Sequence, residues 1–219
     1  MTLSERLHKA AAPIWQKTLA HPFLVDLGNG TLSLEQFRFY MCQDYVFLIE
    51  YSRLLALATA KAPDLAMMGS FANLLDATLN REMALHRDFA GQCGISPETL
   101  ARTRPTPTTY AYTSHLLRVA AIGDLAETVA ALLPCQWGYS EIGQLLAKRE
   151  LQLLSSFYRQ WIDMYASSEF AALTRWLREV LDSLTSTTTE ERLREVFCTS
   201  ARYEYLFWDM AYRLETWPV

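Results

Sequence analysis

Residues 33–61 read SLEQFRFYMCQDYVFLIEYSRLLALATAK, and this stretch decides the fold. Ser33-Leu34-Glu35-Gln36 is a capping box: the Ser33 hydroxyl can accept from the amide three residues on, while Gln36 reaches back to the Ser33 amide. Phe37, Tyr40, Met41, Phe47, Leu48, Tyr51, Leu54 and Leu55 then recur at steps of three and four, the period of a helix buried along one face. The pattern reaches Lys61 and stops ahead of Pro63, because the residue before a proline avoids helical backbone.

The same period extends outward in both directions. Thr2 or Ser4 opens a first helix to about Leu19. Asp64 can cap a third, whose stripe (Leu65, Met68, Phe71, Leu75, Leu79, Met83, Phe89) runs to about Gly91–Gly94. A short helix follows Ser96-Pro97-Glu98, and Arg102–Thr109, RTRPTPTT, reads as a loop. Gly28-Asn29-Gly30 reads as a turn; no G-K-[ST] follows, so it is not a phosphate loop. Helical patterns return at Tyr110–Ile122, Asp124 to about Phe157, Ser168–Leu184 and Thr188–Arg213, with Tyr158–Ala166 less clearly periodic. No stretch alternates with period two and no segment repeats. The expectation is one all-α domain over residues 1–219.

Composition agrees and removes other classes. Of 219 residues, 51% are apolar and 20% charged, which is the balance of a cored protein rather than a disordered chain. Only 8 Gly and 8 Pro are present, too few breakers for a turn-rich β-sandwich. The net charge of −4, with no run of Lys or Arg, predicts no nucleic-acid partner. The uncharged stretch Thr128–Ser140 is shorter than the roughly 18 residues of a membrane span and contains Pro134, so no membrane partner is predicted. MTLSERLHKA lacks the apolar core of a signal peptide. The four cysteines (Cys42, Cys93, Cys135, Cys198) form no C-x-x-C pair, which fits reduced thiols and a cytoplasmic location.

Against this background three residues stand out. Asp44 falls on the apolar stripe of the 33–61 helix, three or four residues from Tyr40, Met41, Phe47 and Leu48. A buried carboxylate needs partners or a raised pKa. Two readings fit Asp44, a structural bond to another helix or a carboxylate facing a ligand. Glu204 lies on the stripe Leu193, Val196, Phe197, Ser200, Tyr203, Phe207, Trp208. It is either a glutamate packed among aromatics, suited to general acid–base work, or one reaching the surface from the stripe's edge. Cys135 follows Pro134 inside a helical pattern, where a missing amide predicts a kink, and Tyr139 stands one turn on. It is a buried structural thiol or a nucleophile; as a nucleophile in an apolar site it needs a carboxylate base. Weaker candidates are Glu82 and His86 as metal ligands with Glu50 or Glu141, and His8 as a haem ligand. Neither spacing matches a known carboxylate–histidine metal site, and no metal or cofactor is predicted.

The segments 21–48 (HPFLVDLGNGTLSLEQFRFYMCQDYVFL), 81–89 (REMALHRDF), 105–116 (PTPTTYAYTSHL), 131–143 (ALLPCQWGYSEIG), 158–165 (YRQWIDMY) and 203–215 (YEYLFWDMAYRLE) carry a resemblance. In this order they resemble the TenA/thiaminase II family of aminopyrimidine aminohydrolases, in its cysteine-containing branch, across essentially the whole chain. The resemblance implies a haem-oxygenase-like helical bundle and a thiamin-salvage hydrolase. This would release 4-amino-5-hydroxymethyl-2-methylpyrimidine from the corresponding aminomethylpyrimidine and from thiamin, without a cofactor and as a homotetramer. It implies that Cys135 is the nucleophile, adding to the pyrimidine ring. Glu204 would protonate the leaving group and then activate water, and Asp44 would bind the aminopyrimidine edge. Tyr112 and Tyr139 would line the pocket, and Tyr165 and Phe207 would sandwich the ring. Phe47 stands where the family often has Tyr; it keeps the stacking face and lacks a hydroxyl. A pyrimidine-binding regulator and a metal-dependent oxidase on the same fold are the alternatives.

Overall fold

The computed structural model describes residues 1–149 and 156–219. Among the described residues there are eleven α-helices and no strand. They are α1 (Leu3–Leu19), α2 (Pro22–Asn29), α3 (Leu34–Lys61), α4 (Leu65–Ala77), α5 (Met83–Gln92), α6 (Pro97–Arg102), α7 (Pro107–Ile122), α8 (Leu125–Leu146), α9 (Ser156–Ala166), α10 (Ser168–Ser183) and α11 (Glu190–Arg213). A π-helical segment, Thr78–Glu82, joins α4 to α5.

The caps are those the side chains favour. Gln36 N donates to Ser33 Oγ at 3.2 Å and the Ser33 amide to Gln36 Oε1 at 3.4 Å. Thr2, rather than Ser4, opens α1. Ser4 instead ties α1 to α10, donating from its amide and hydroxyl to Asp182 at 2.7 and 2.9 Å. Asp64 accepts from Met67 N at 2.8 Å, and Asp124 and Glu127 form a further capping box.

α8 is the axis of the bundle. It packs against α3, α7, α9, α10 and α11, and nearly every residue from Leu125 to Leu146 is buried. An apolar helix buried all round belongs at the centre of a core, which accounts for the uncharged stretch Thr128–Ser140. No helix among the described residues is long and apolar enough to cross a membrane. α11 crosses α8 and also touches α1, α2, α3 and α7, while α3 carries α4, α5 and α7 on its flanks. Asp44, Cys135 and Glu204 thus sit on the three longest helices, where these meet.

Four boundaries differ from the sequence reading. Pro22–Asn29 is a helix, not an approach to a turn. His21 Nδ1 accepts from Phe23 N at 3.1 Å, Pro22 occupies the first turn, and Gly30, at φ 72°, ends it in the left-handed region. The loop before α7 ends at Thr106, not Thr109, because Thr106 caps a helix with Pro107 in its first turn. The stripe from Asp64 is not one α-helix; the π segment widens it at Thr78–Glu82. Finally, α8 stops at Leu146 and Phe157 belongs to α9. Residues 150–155 of that expected helix lie outside the described residues. No Gly or Pro between Gly143 and Leu184 marks the break. Tyr158–Ala166 is helical, within α9. Through Pro134 α8 is continuous, although the proline has no amide to donate to Ala130.

Candidate active site

Asp44, Phe47, Leu48 and Tyr51 share one face of α3. Opposite them Cys135, Gln136 and Tyr139 project from α8, and Met164 and Tyr165 from α9. Between these walls lies a cavity of about 300 Å³, closed by Phe170 of α10 and by Thr78, Arg81 and Glu82 of the π segment. α9 reaches this position because Gly143 allows it. A Cβ there would come within 2.5 Å of the Tyr165 carbonyl carbon and 2.6 Å of the Ala166 nitrogen. Only a residue without a side chain lets the two backbones meet this closely.

The three anomalous residues converge. Asp44 is 4% exposed and lines the cavity, so a ligand-facing carboxylate describes its position. It also approaches another helix: its Oδ2 is 3.3 Å from His86 Nε2 on α5. Glu204 is 6% exposed, which removes the surface reading, and it is not among the residues that line the cavity. Burial raises its pKa to about 7, the Asp44 charge adds to the rise, and hydrogen bonding from Tyr112 opposes it. The Tyr112 hydroxyl donates to Glu204 Oε1 at 2.5 Å. Cys135 is half-buried with its side chain on the cavity. Burial first, and then the carboxylates Glu204, Asp44 and Glu82, push its thiol well up, so it is protonated at neutral pH in the empty site. Of the three carboxylates, Glu204 acts on the thiol most strongly.

Tyr139 and Tyr165 both face the cavity, their rings 4.8 Å apart edge-on. Tyr139 shares a 3.2 Å hydrogen bond with the Tyr40 hydroxyl, which also accepts from Trp161 Nε1. Phe47 lines the cavity too. Tyr112 and Phe207 do not. Each stands one layer behind Phe47, with ring centroids 5.1 and 5.6 Å from it. The expected sandwich of Tyr165 with Phe207 is therefore not formed. The aromatic faces on the cavity belong to Phe47, Tyr51, Tyr139, Tyr165 and Phe170, and Phe207 backs the first of them.

The sequence reading missed Tyr51, Gln136 and Glu82 on this cavity. Tyr51 is 5% exposed, and its hydroxyl has no hydrogen-bond partner among the described residues. It stood seven residues after Asp44 on the same helical face, which was the available signal. Glu82 was weighed only as a metal ligand. Burial, then the Asp44 charge, raises its pKa to about 7. Neither Glu50 nor Glu141 joins it. Glu50 pairs with Arg53, and Glu141 accepts from Trp15 Nε1 at 2.7 Å on the far side of α8. His8 stacks on Trp137 at 4.2 Å, remote from the cavity.

Comparison with known proteins agrees with this architecture. The chain is 44% identical to the aminopyrimidine aminohydrolase of Halalkalibacterium halodurans, over 99% of this chain and 98% of that one. A TenA homologue from P. horikoshii superposes with a TM-score of 0.93 at 32% identity, covering 97% of this chain and 99% of that one. A domain with a heme oxygenase-like fold from Shewanella denitrificans, 15% identical, has a TM-score of 0.78 over 96% of this chain and 92% of its own, and shares the fold. The sequence pattern of the TENA/THI-4/PQQC family matches residues 8–214, so this all-α, haem-oxygenase-like chain belongs to that family.

Proposed function

We propose that the chain is an aminopyrimidine aminohydrolase of thiamin salvage, releasing hydroxymethylpyrimidine from aminomethylpyrimidine and from thiamin. One observation carries the reading: a cavity-lining thiol beside a buried, aromatic-packed glutamate, facing a second buried carboxylate across an aromatic slot. The curated relative's name supports the same substrate class.

Asp44 accepts from the exocyclic amine and pairs with the adjacent ring nitrogen. In a water-poor cavity this contact is stronger than in bulk solvent. Phe47 and Tyr165 are flat walls for the ring, and Tyr112 and Phe207 hold Glu204 and Phe47 from behind. Cys135 passes its proton to Glu204, and its sulfur adds to the ring carbon next to the substituted one. The electron pair released toward the methylene carbon expels the amine, which takes its proton from Glu204. Glu204 then removes a proton from water as the oxygen adds to the methylene. The sulfur leaves as the ring is restored and takes back a proton from Glu204. The sum is substrate plus water giving hydroxymethylpyrimidine plus ammonia, with the enzyme unchanged, and two moderate steps replace one difficult substitution. With thiamin, neutral thiazole departs without taking a proton, and Glu204 gives up the thiol proton to solvent before it activates water.

The purified protein, supplied with either compound, is expected to release hydroxymethylpyrimidine; absence of product from both contradicts the reading. We also infer a cytoplasmic homotetramer. Exposed Leu65, Ile122 and Leu206 supply apolar surface that assembly can cover. Light scattering is expected to give about four times 25.1 kDa, and a monomer contradicts it.

A further inference from the structure

Next to the main cavity, sharing Asp44, Leu48, Glu82, Met164 and Tyr165 with it, lies a second and much smaller one of about 10 Å³, room for about one water. Its polar lining is Asp44 of α3, Glu82 of the π segment and His86 of α5; Met41, Trp161 and Tyr165 are among its other walls. His86 is 5% exposed, and neither ring nitrogen has a hydrogen-bond partner among the described residues. Its Nε2 is 3.3 Å from Asp44 Oδ2, yet the ring is not aligned to donate. A buried polar ring left unpaired costs about 1–3 kcal/mol. A water with three polar neighbours is the ordinary remedy.

We propose that His86 is a positioning residue for the reaction: with Glu82 it holds one water against the Asp44 carboxylate, and this relay keeps Asp44 aimed at the pyrimidine. The inference rests on Asp44 binding the aminopyrimidine. The imidazole N–H donates to the water, which donates one proton to Asp44 and the other to Glu82 when that group is ionised. When Glu82 is protonated it donates to the water instead. The local geometry suits this. Glu82 and His86 are one helical turn apart at the point where the π segment gives way to α5, so both reach the same small cavity.

Asp44 is also faced by Tyr40 of its own helix, Cys135 and Tyr139 of α8, Tyr165 of α9 and Glu204 of α11. None of these is a cation. Tyr45 packs its ring 5.8 Å from His86. Arg81 of the π segment is an exposed cation on the main cavity, whereas the buried His86 has its Nε2 3.3 Å from Asp44 Oδ2.

The test is calorimetric titration with hydroxymethylpyrimidine as probe across about pH 5.5–8.5, on wild type, His86→Leu, His86→Gln and Asp44→Asn. For His86→Leu the relay predicts about tenfold weaker binding, with kcat within about threefold. His86→Gln keeps an N–H donor and is expected within about threefold of wild type. Binding unchanged in His86→Leu, or equal losses in both His86 variants, overturn the relay. Asp44→Asn separates the underlying reading: undiminished binding there overturns the role of Asp44 and the relay together, whereas its loss beside an unaltered His86→Leu overturns the relay alone. Should His86→Leu fail to fold, nitrogen-15 spectra of the labelled wild-type histidines decide. With probe bound, one imidazole, absent in His86→Gln, is expected to stay in a single tautomer over the same pH range, and free tautomer exchange overturns the proposal.

Discussion

At the residue scale, the chemistry turns on a proton shared between Cys135 and Glu204. With its carboxyl at about pKa 7, Glu204 accepts the thiol proton only when ionised. The expected kcat/KM rises with pH through about 7, and a Glu204→Gln variant loses that limb along with at least about 10²-fold of its activity. A profile without a limb near 7 in the wild type contradicts the assignment. Tyr51 tests the cavity differently. Its hydroxyl is buried without a protein partner, so Tyr51→Phe is expected to keep or slightly raise the melting temperature, because no protein bond is lost. Yet turnover is expected to fall about tenfold if that hydroxyl meets substrate, as its place on the cavity suggests. A destabilised variant with normal turnover contradicts this. Asp44 and Glu204 were legible in the sequence because each interrupts an apolar stripe in a chain poor in charge. Tyr51 was not, because an aromatic on an apolar stripe reads as core until a cavity is seen beside it. The family resemblance makes Phe207 a slot wall, and only tertiary packing puts it a layer behind Phe47.

At the element scale, the site depends on how closely α9 approaches α8. Gly143→Ala places a methyl group against the backbone of Tyr165 and Ala166. The expected outcome is a loss of about 1–3 kcal/mol in stability and weaker pyrimidine binding, because Tyr165 moves with α9. Denaturant unfolding and the probe titration measure both, and wild-type values in both contradict the account. Long, strongly periodic helices were readable: α3, α10 and α11 lie within one or two residues of their expected limits. The misses share a physical reason. α2 is capped by a histidine, an uncommon cap, and its two glycines look like a turn. The end of α8 carries no breaker. The π segment leaves the apolar stripe nearly unaltered, so its wider turn does not appear in the period.

At the scale of the whole molecule, carboxylates are gathered in a centre otherwise nearly free of charge. Glu82 and Glu204 both have folded pKa values of about 7, above the ordinary 4.5. A carboxyl with a raised folded pKa adds stability that is complete below the unfolded value and lost as pH rises through the folded one. Stability from this source is therefore present near pH 4.5 and gone above about 7. Glu82→Gln is expected to stabilise the fold on the order of 1 kcal/mol at pH 8, with the difference shrinking toward pH 5. Melting curves at the two pH values check it, and a gain larger at pH 5 contradicts it. The molecule keeps Glu204 buried on α11 and Glu82 on the cavity wall, the arrangement expected of a site kept for chemistry rather than stability.

The most direct measurement is the rate of hydroxymethylpyrimidine release from aminomethylpyrimidine by wild type and Cys135→Ser, with circular dichroism showing both folded. A serine hydroxyl is a far poorer nucleophile beside a glutamate of this pKa. The account therefore predicts a loss of about 10³-fold or more with the fold unchanged. Release by Cys135→Ser within about tenfold of wild type would show that the thiol does not attack the ring, and would contradict the account at its centre.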